Sequence, residues 1–69
     1  MKKISITIPC YKSQDTIVKL TDGIREEMLK HPEYDYEIIL VNDCSPDNTF
    51  QVISDLARKD SHIKAYDLA

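Results

Sequence analysis

The sequence predicts an α/β fold in which a Rossmann-like β-α-β-α-β chain forms a parallel half-sheet. Three short apolar runs, at residues 4–8, 38–41 and 63–68, have the length and composition of β-strands. Between them lie two longer stretches whose apolar residues recur every three or four positions, as in amphipathic helices. A single helix between successive strands predicts crossover connections, which are right-handed in nearly all proteins.

The first strand and the first helix are predicted between residue 4 and about residue 30. Ile4 to Ile8 alternates isoleucine with small hydroxyl side chains, and the strand is expected to end at Pro9, which lacks a backbone donor. Ser13 or Asp15 is suited to cap the helix that follows. The buried face of this helix is predicted to consist of Ile17, Leu20, Ile24 and Met28.

The second strand is predicted at residues 37–42, where four branched aliphatic residues in a row are typical of a central strand covered on both faces. Ser45 is predicted to be the N-cap of the second helix, with Pro46 as its first residue. Asp47 would then lie in the first turn, where a carboxylate complements the helix dipole. A third strand is expected at residues 63–68. The buried stripe of the second helix is predicted as Val52, Ile53, Leu56 and Ala57.

Size and composition indicate an ordinary globular segment that needs further partners. Of its 69 residues, 42% are hydrophobic and 30% are charged. A domain this small buries only about 60% of the surface of its unfolded chain, so we expect residues 1–69 to be the amino-terminal part of a larger domain, or to form a homodimer. The sequence has neither a signal-peptide pattern nor the roughly 20 apolar residues that span a bilayer. We therefore expect this segment in the cytoplasm.

The charge distribution argues against a nucleic-acid partner. The formal net charge is −3, and the lysines are scattered along the chain. Proteins that bind a phosphate backbone usually present clustered lysine and arginine residues. We expect no nucleic acid among the partners.

The two cysteines, Cys10 and Cys44, have neither the spacing of metal ligands nor the density of a secreted disulfide scaffold. A reduced compartment is the simpler expectation, in which both are small, partly buried thiols. Both fall at predicted strand ends, where neighbouring strands would bring the sulfur atoms close together. The sequence leaves open whether they form a disulfide.

Polar and aromatic side chains follow the first two strands, at the end of the sheet where open α/β proteins bind ligands. If these strands are neighbours, the ring of Tyr11 offers a stacking surface for a flat base, and the carboxylate of Asp43 accepts a hydrogen bond from a ring N–H. This pair would suit a pyrimidine or a guanine. Gly23 is the only glycine and lies in the predicted first helix, which excludes the glycine-rich loops of Rossmann dehydrogenases and P-loop proteins.

Each of these residues also has a purely structural interpretation. Asp43 is a suitable cap for the turn after the strand, and the amphipathic ring of Tyr11 could cover the end of the sheet. Asp47 is favoured as a helix-terminus charge rather than a ligand. His31 and His62 are expected to be solvated loop residues.

Residues 6–11 (ITIPCY) and 37–49 (EIILVNDCSPDNT) resemble family-2 glycosyltransferases in order and spacing. The resemblance covers essentially the whole chain and is closest to the branch that contains dolichol-phosphate and undecaprenyl-phosphate sugar transferases. It implies that the chain is the amino-terminal part of a GT-A fold and binds the nucleotide of a nucleotide-sugar donor. By position, Pro9 and Tyr11 match residues that line the base pocket, and Asp43 matches the aspartate that hydrogen-bonds the base.

Three positions depart from the pattern of this family. Lys12 and Ser13 stand in place of an asparagine and an often acidic residue, and Cys44 stands in place of the usual glycine. The helix-start signature of the family is matched by Ser45, Asp47 and Thr49.

The resemblance also implies the activity of the full-length protein, which is sugar transfer from a nucleotide-sugar donor, UDP being favoured, to a lipid or saccharide acceptor. In the family this reaction uses Mg²⁺ or Mn²⁺ and a carboxylate base, whose positions lie beyond residue 69. We therefore expect no catalytic or metal-binding residue in this segment, no activity of the segment alone, and membrane association only through other parts of the protein.

Two other classes stay open. One is a non-catalytic α/β interaction module that homodimerises through exposed helix and sheet faces. The other is a receiver-like phospho-accepting domain, although Pro9-Cys10-Tyr11 stands where a receiver places an acidic pair.

Overall fold

A computed structural model describes residues 2–44 and 46–68 of the chain. The three strands are parallel and lie in the order β1-β2-β3, so that β2 is central. This architecture confirms the predicted Rossmann-like half-sheet. The elements are β1 (Lys2–Cys10), α1 (Ile17–Leu29), β2 (Tyr34–Asn42), α2 (Thr49–Lys59) and β3 (Ile63–Asp67).

Both helices pack on the same face of the sheet, because two successive right-handed crossovers carry the chain across it in one direction. Along β2, Ile38 and Leu40 are fully buried beneath the helices, whereas Ile39 and Val41 are only half-buried. In the 69-residue chain the two helices cover one face of β2, and the other face stays partly exposed. The core consists of Cys10, Ile17, Ile38, Leu40, Ile53 and Ile63.

The opposite face of the sheet, called the open face here, carries a group of charges around Glu37. The Glu37 carboxylate accepts a hydrogen bond of 2.6 Å from the Ser5 hydroxyl and lies 3.8 Å from Lys3 Nζ and 3.7 Å from Lys64 Nζ. The Ser5 hydrogen bond, aided by both ammonium groups, holds the pKa of Glu37 below its ordinary value although desolvation acts in the other direction. Charges from all three strands therefore meet on the open face.

The first strand extends through Pro9 to Cys10, one residue beyond its predicted end. Since the Cys10 carbonyl accepts the Asp43 N–H, the main-chain polar groups of Pro9 point to the free edge of the sheet. The missing N–H of a proline costs no ladder hydrogen bond on that side. An edge strand therefore accommodates Pro9.

Helix α1 differs from its prediction at its start and on its buried face. Thr16 is the N-cap and makes no side-chain capping bond; instead the main-chain carbonyl of Ser13 accepts the N–H groups of Thr16 and Ile17 at 3.1 and 2.9 Å. Thr21 is fully buried, whereas Leu20 is 48% exposed. Burial follows positions 17, 21 and 24, so that the adjacent leucine lies on the flank of the helix.

Helix α2 begins at Thr49, with Asn48 as N-cap, and not at Pro46 as predicted. The predicted N-cap, Ser45, lies outside the described residues. The predicted apolar stripe of α2 does pack against the core, with Ile53 fully buried. Within residues 2–44 and 46–68, neither helix has the length and apolar character needed to cross a bilayer.

The two faces of β2 predict unequal responses to the same substitution at neighbouring positions. In the 69-residue chain, Ile38→Val should lower the free energy of unfolding by about 1 kcal/mol, because it leaves a methyl-sized gap in the core. Ile39→Val, on the open face, is the matched control and should cost less than half as much. Urea denaturation followed by circular dichroism measures both, and equal losses would contradict the one-sided core.

Candidate functional site

The carboxyl ends of β1 and β2 lie side by side. Cys10 is opposite Asn42 in the register, and Asp43, the first residue after β2, donates its N–H to the Cys10 carbonyl at 3.0 Å. Tyr11 and Asp43 therefore leave the sheet as neighbours. Both are exposed, Tyr11 by 56%. Pro9, the third predicted pocket residue, lies in β1 opposite Val41 and is also exposed.

Each of these two loops turns at a residue in the left-handed region. Lys12 and Cys44 both have φ of 51°, and each is the second residue beyond the paired tip of its strand. A side chain in this region usually costs of order 1 kcal/mol, which is why glycine is favoured there. The Lys12 ammonium lies 5.5 Å from the ring centroid of Tyr11, within the range of a cation–π contact. The two loops lead to the starts of α1 and α2.

Two hydrogen bonds join the loop after β1 to the start of α2. The Ser13 N–H donates to Thr49 Oγ1 at 2.9 Å, and the Asn48 N–H donates to Gln14 Oε1 at 2.9 Å. Thr49 is fully buried at this junction. The loop after β1 is therefore fastened to the start of α2.

The Asp47 carboxylate caps the beginning of α2 from outside the helix. Its Oδ1 accepts the Thr49 N–H at 3.0 Å and the Thr49 hydroxyl. Asp47 therefore precedes the helix and does not lie in its first turn as predicted, but it still satisfies an N–H of the first helical residue, as a capping carboxylate does.

Asn42 joins the tips of β2 and β3 on the helix side of the sheet. Its Nδ2 donates to Asp67 Oδ1 at 3.0 Å, and its carbonyl accepts the Leu68 N–H at 2.9 Å. Asn42 is 4% exposed, and its Oδ1 has no hydrogen-bond partner among the described residues. This side chain braces the strand that carries Asp43.

The cysteines are both free thiols. Cys10 is buried in the core, and desolvation raises its pKa even though a main-chain hydrogen bond at Val41 acts against the increase. Cys44 is exposed beyond the strand tip, where its sulfur lies 3.3 Å from the Leu68 carbonyl oxygen. The disulfide that the sequence left open is not formed.

Comparison with known proteins shows the family of this chain. Residues 5–69 match the family model described as "Glycosyl transferase family 2". The chain belongs to this family. Over 66 residues, or 94% of the chain and 20% of the relative, it is 41% identical to the undecaprenyl-phosphate 4-deoxy-4-formamido-L-arabinose transferase of Yersinia pestis.

Two relatives named for poly(ribitol-phosphate) are also similar to this family-2 chain. The poly(ribitol-phosphate) beta-glucosyltransferase of Bacillus spizizenii is 39% identical over 57 residues, which are 83% of the chain and 9% of the relative. TarS of Staphylococcus aureus, a poly(ribitol-phosphate) beta-N-acetylglucosaminyltransferase, is 30% identical over 59 residues, which are 86% of the chain and 10% of the relative. The chain spans a fifth or less of the length of these relatives.

The family resemblance implies a divalent metal whose ligands lie outside this segment. In the described part of the chain, no group of three or more histidine, cysteine, aspartate or glutamate side chains is placed to hold a cation. The loops after β1 and β2 provide aromatic, hydroxyl and carboxylate groups suited to an organic ligand instead.

A groove of about 570 Å³ lies at the opposite end of the sheet from Tyr11 and Asp43. Its charged wall is an internal network, in which Arg25 Nε lies 2.9 Å from Asp60 Oδ2 and the His62 N–H donates to Asp60 Oδ1 at 2.9 Å. The His62 ring stacks on Tyr36 with 4.1 Å between centroids. His62 lies in a loop as predicted and its side chain is 41% exposed, but Nδ1 of its ring also lies 3.1 Å from Asp60 Oδ1.

The Asp60 network predicts a stability that depends on pH. Burial alone would raise the pKa of Asp60, but hydrogen bonds from His62 and the charge of Arg25 outweigh it, so the pKa lies below its ordinary value. A carboxylate with a lowered folded-state pKa stabilises the protein above its unfolded pKa, about 3.9, and loses that contribution as the pH falls further.

Asp60→Asn should therefore lower the free energy of unfolding by about 1–2 kcal/mol at pH 7, and the difference from wild type should shrink below about pH 4. Urea denaturation at pH 7, 5 and 3 measures it. Asp22→Asn is the control, because Asp22 faces the same Arg25 at 3.6 Å but its side chain is 55% exposed. A difference that stays constant from pH 7 to pH 3 would contradict this role of Asp60.

Proposed function

We propose that the loops after β1 and β2 bind the base of a nucleotide-sugar donor, with UDP-sugars favoured, in a glycosyltransferase of family 2. Pro9, Tyr11 and Asp43 are the proposed donor-binding residues. The observation that carries the proposal is the Asp43 N–H to Cys10 carbonyl bond, which makes Tyr11 and Asp43 neighbours at the strand tips. Membership in the family supports sugar transfer as the reaction of the full-length protein.

The chemistry of the two side chains suits a uracil base. The exposed ring of Tyr11 offers an aromatic surface on which a base can stack, and such contacts contribute about 1–3 kcal/mol each. The Asp43 carboxylate is an acceptor for a ring N–H, which uracil and guanine carry at the edge that pairs with other bases and which cytosine and adenine lack there. Asp43 would therefore select the base, and Tyr11 would contribute contact area.

The remaining parts of the reaction are proposed to lie outside residues 1–69. These parts are the carboxylate base, the ligands of Mg²⁺ or Mn²⁺, and any membrane anchor. The acceptor is proposed to be a lipid or a saccharide, which accords with relatives named for undecaprenyl phosphate and poly(ribitol-phosphate). A cytoplasmic location of this segment, where nucleotide-sugars are made available, completes the proposal.

Removal of the Asp43 carboxylate tests the proposed base contact. In the full-length protein, Asp43→Ala should weaken the binding of a UDP-sugar by about 10- to 100-fold, the loss expected for a hydrogen bond to a charged group. Isothermal calorimetry measures the affinity. Asp22→Ala, on the exposed side of α1, is the control and should leave it unchanged. Unchanged affinities of Asp43→Ala for both UDP- and GDP-sugars would contradict the proposal and favour a role in capping the turn.

Two substitutions at Tyr11 separate stacking from the phenolic hydroxyl. Tyr11→Phe keeps the ring and should retain donor affinity within about threefold, because stacking requires only the aromatic face. Tyr11→Ala should weaken binding by about 5- to 100-fold, which corresponds to the loss of one base-stacking contact. Equal affinities of the two variants, measured in the full-length protein by the same calorimetry, would argue that no base stacks on this ring.

A further inference from the structure

A continuous set of hydrogen bonds connects the loop that carries Asp43 to the loop that carries Tyr11. Asp47 Oδ1 accepts the Thr49 hydroxyl, and Thr49 Oγ1 accepts the Ser13 N–H at 2.9 Å. The Ser13 hydroxyl in turn donates to the Tyr11 carbonyl at 3.1 Å. We call Asp47, Thr49, Ser13 and the Tyr11 carbonyl the loop relay.

The loop relay crosses between segments that are distant in sequence. Ser13 and Thr49 are 36 residues apart, and Thr49 is fully buried between the two loops. A second bond, from the Asn48 N–H to Gln14 Oε1, runs parallel to it and joins residues 34 apart. The start of α2 therefore holds the first loop through two adjacent contacts.

The position of Thr49 explains why a hydroxyl is needed there. Its oxygen donates one hydrogen bond and accepts another, which a single hydroxyl can do. A valine has nearly the same shape but would leave the Ser13 N–H without this acceptor and Asp47 without this donor. The first loop would then lose one of its two attachments to the start of α2.

We propose that Thr49 is a positioning residue for the donor pocket, which sets the placement of Tyr11 relative to Asp43 through the loop relay. Thr49 touches no substrate in this proposal and acts through Ser13 and Asp47. The inference rests on the proposed function, because it concerns the geometry of the same donor-binding pair.

Thr21 provides a matched control for a purely structural threonine. It is fully buried, like Thr49, and lies in a helix. Its hydroxyl, however, donates to the Val18 carbonyl of its own helix at 3.0 Å and does not connect two loops. Thr21→Val therefore removes a buried hydroxyl without touching the loop relay.

The test uses the full-length protein with UDP as the binding probe and a UDP-sugar as the substrate. Thr49→Val should raise the Kd for UDP and the donor KM by about 5- to 10-fold, because the loss of both Thr49 hydrogen bonds disturbs the binding geometry. Its kcat should change by less than about twofold. Thr49→Ser keeps the hydroxyl and should therefore keep the Kd for UDP and the donor KM near their wild-type values. Thr21→Val should leave both within about twofold of wild type.

Thermal unfolding is measured on the same samples, so that stability and affinity are separated. A Thr49→Val protein that loses thermal stability but binds UDP like wild type would overturn the proposal, and so would a Thr49→Ser protein that fails to restore binding. If Thr49→Val does not fold, Ser13→Ala takes its place, since it removes the hydrogen bond of the loop relay to the Tyr11 carbonyl. It should raise the Kd by about 2- to 3-fold, and an unchanged Kd would overturn the proposal.

Asp43→Ala distinguishes failure of the loop relay from failure of the proposed function. Weaker UDP binding in Asp43→Ala, together with wild-type binding in Thr49→Val, contradicts the loop relay alone. Wild-type UDP binding in Asp43→Ala contradicts the donor pocket itself, and the positioning role of Thr49 fails with it.

Discussion

The parallel pairing of β1 with β2 is the constraint on which the rest of the structure depends. It places Cys10 opposite Asn42, and the next main-chain bond joins Asp43 to Cys10. A shift of this register by one residue would exchange the two faces of the strand, exposing Ile38 and Leu40 and turning Glu37 toward the helices. The same pairing that builds the core therefore also brings the two candidate ligand-binding residues together.

The two ends of the sheet have different chemistry. At the carboxyl ends of the strands, an exposed ring and an exposed carboxylate face away from the core, on loops held by buried Thr49. At the amino ends, Arg25 and His62 both bond to the Asp60 carboxylate. The groove there has a volume of about 570 Å³. Its Arg25–Asp60 ion pair, however, already joins α1 to the loop before β3. A ligand that needs polar partners therefore has more of them available at the carboxyl ends of the strands.

The sequence was sufficient for the fold because its apolar periodicity changes clearly between strand and helix. Tyr11 and Asp43 were placed at one end of the sheet by the same reasoning, since the carboxyl ends of adjacent parallel strands meet. The predicted start of α2 was wrong. Asp47 accepts the Thr49 N–H from outside the helix, and Pro46 in the preceding bend resembles a first helical residue. The sequence preferences of these residues do not distinguish a helix that starts at Pro46 from one that starts at Thr49.

Thr49 and Gln14 were missed as connecting residues because their partners lie 36 and 34 positions away. The burial of Thr21 and the stacking of His62 on Tyr36 were missed for a related reason. Polar side chains give no apolar signal, and their burial depends on what the tertiary fold places beside them. Only the three-dimensional arrangement shows that these side chains have partners.

The central claim is that the nucleotide binds at the carboxyl ends of β1 and β2. The most direct measurement is a titration of the isotopically labelled full-length protein with UDP, followed by amide chemical shifts. UDP binding at these strand ends should cause saturable shifts at residues 11–14 and 43–49, with little change at Arg25, Asp60 and His62. Shifts confined to the groove at those three residues, with Tyr11 and Asp43 unaffected, would contradict it.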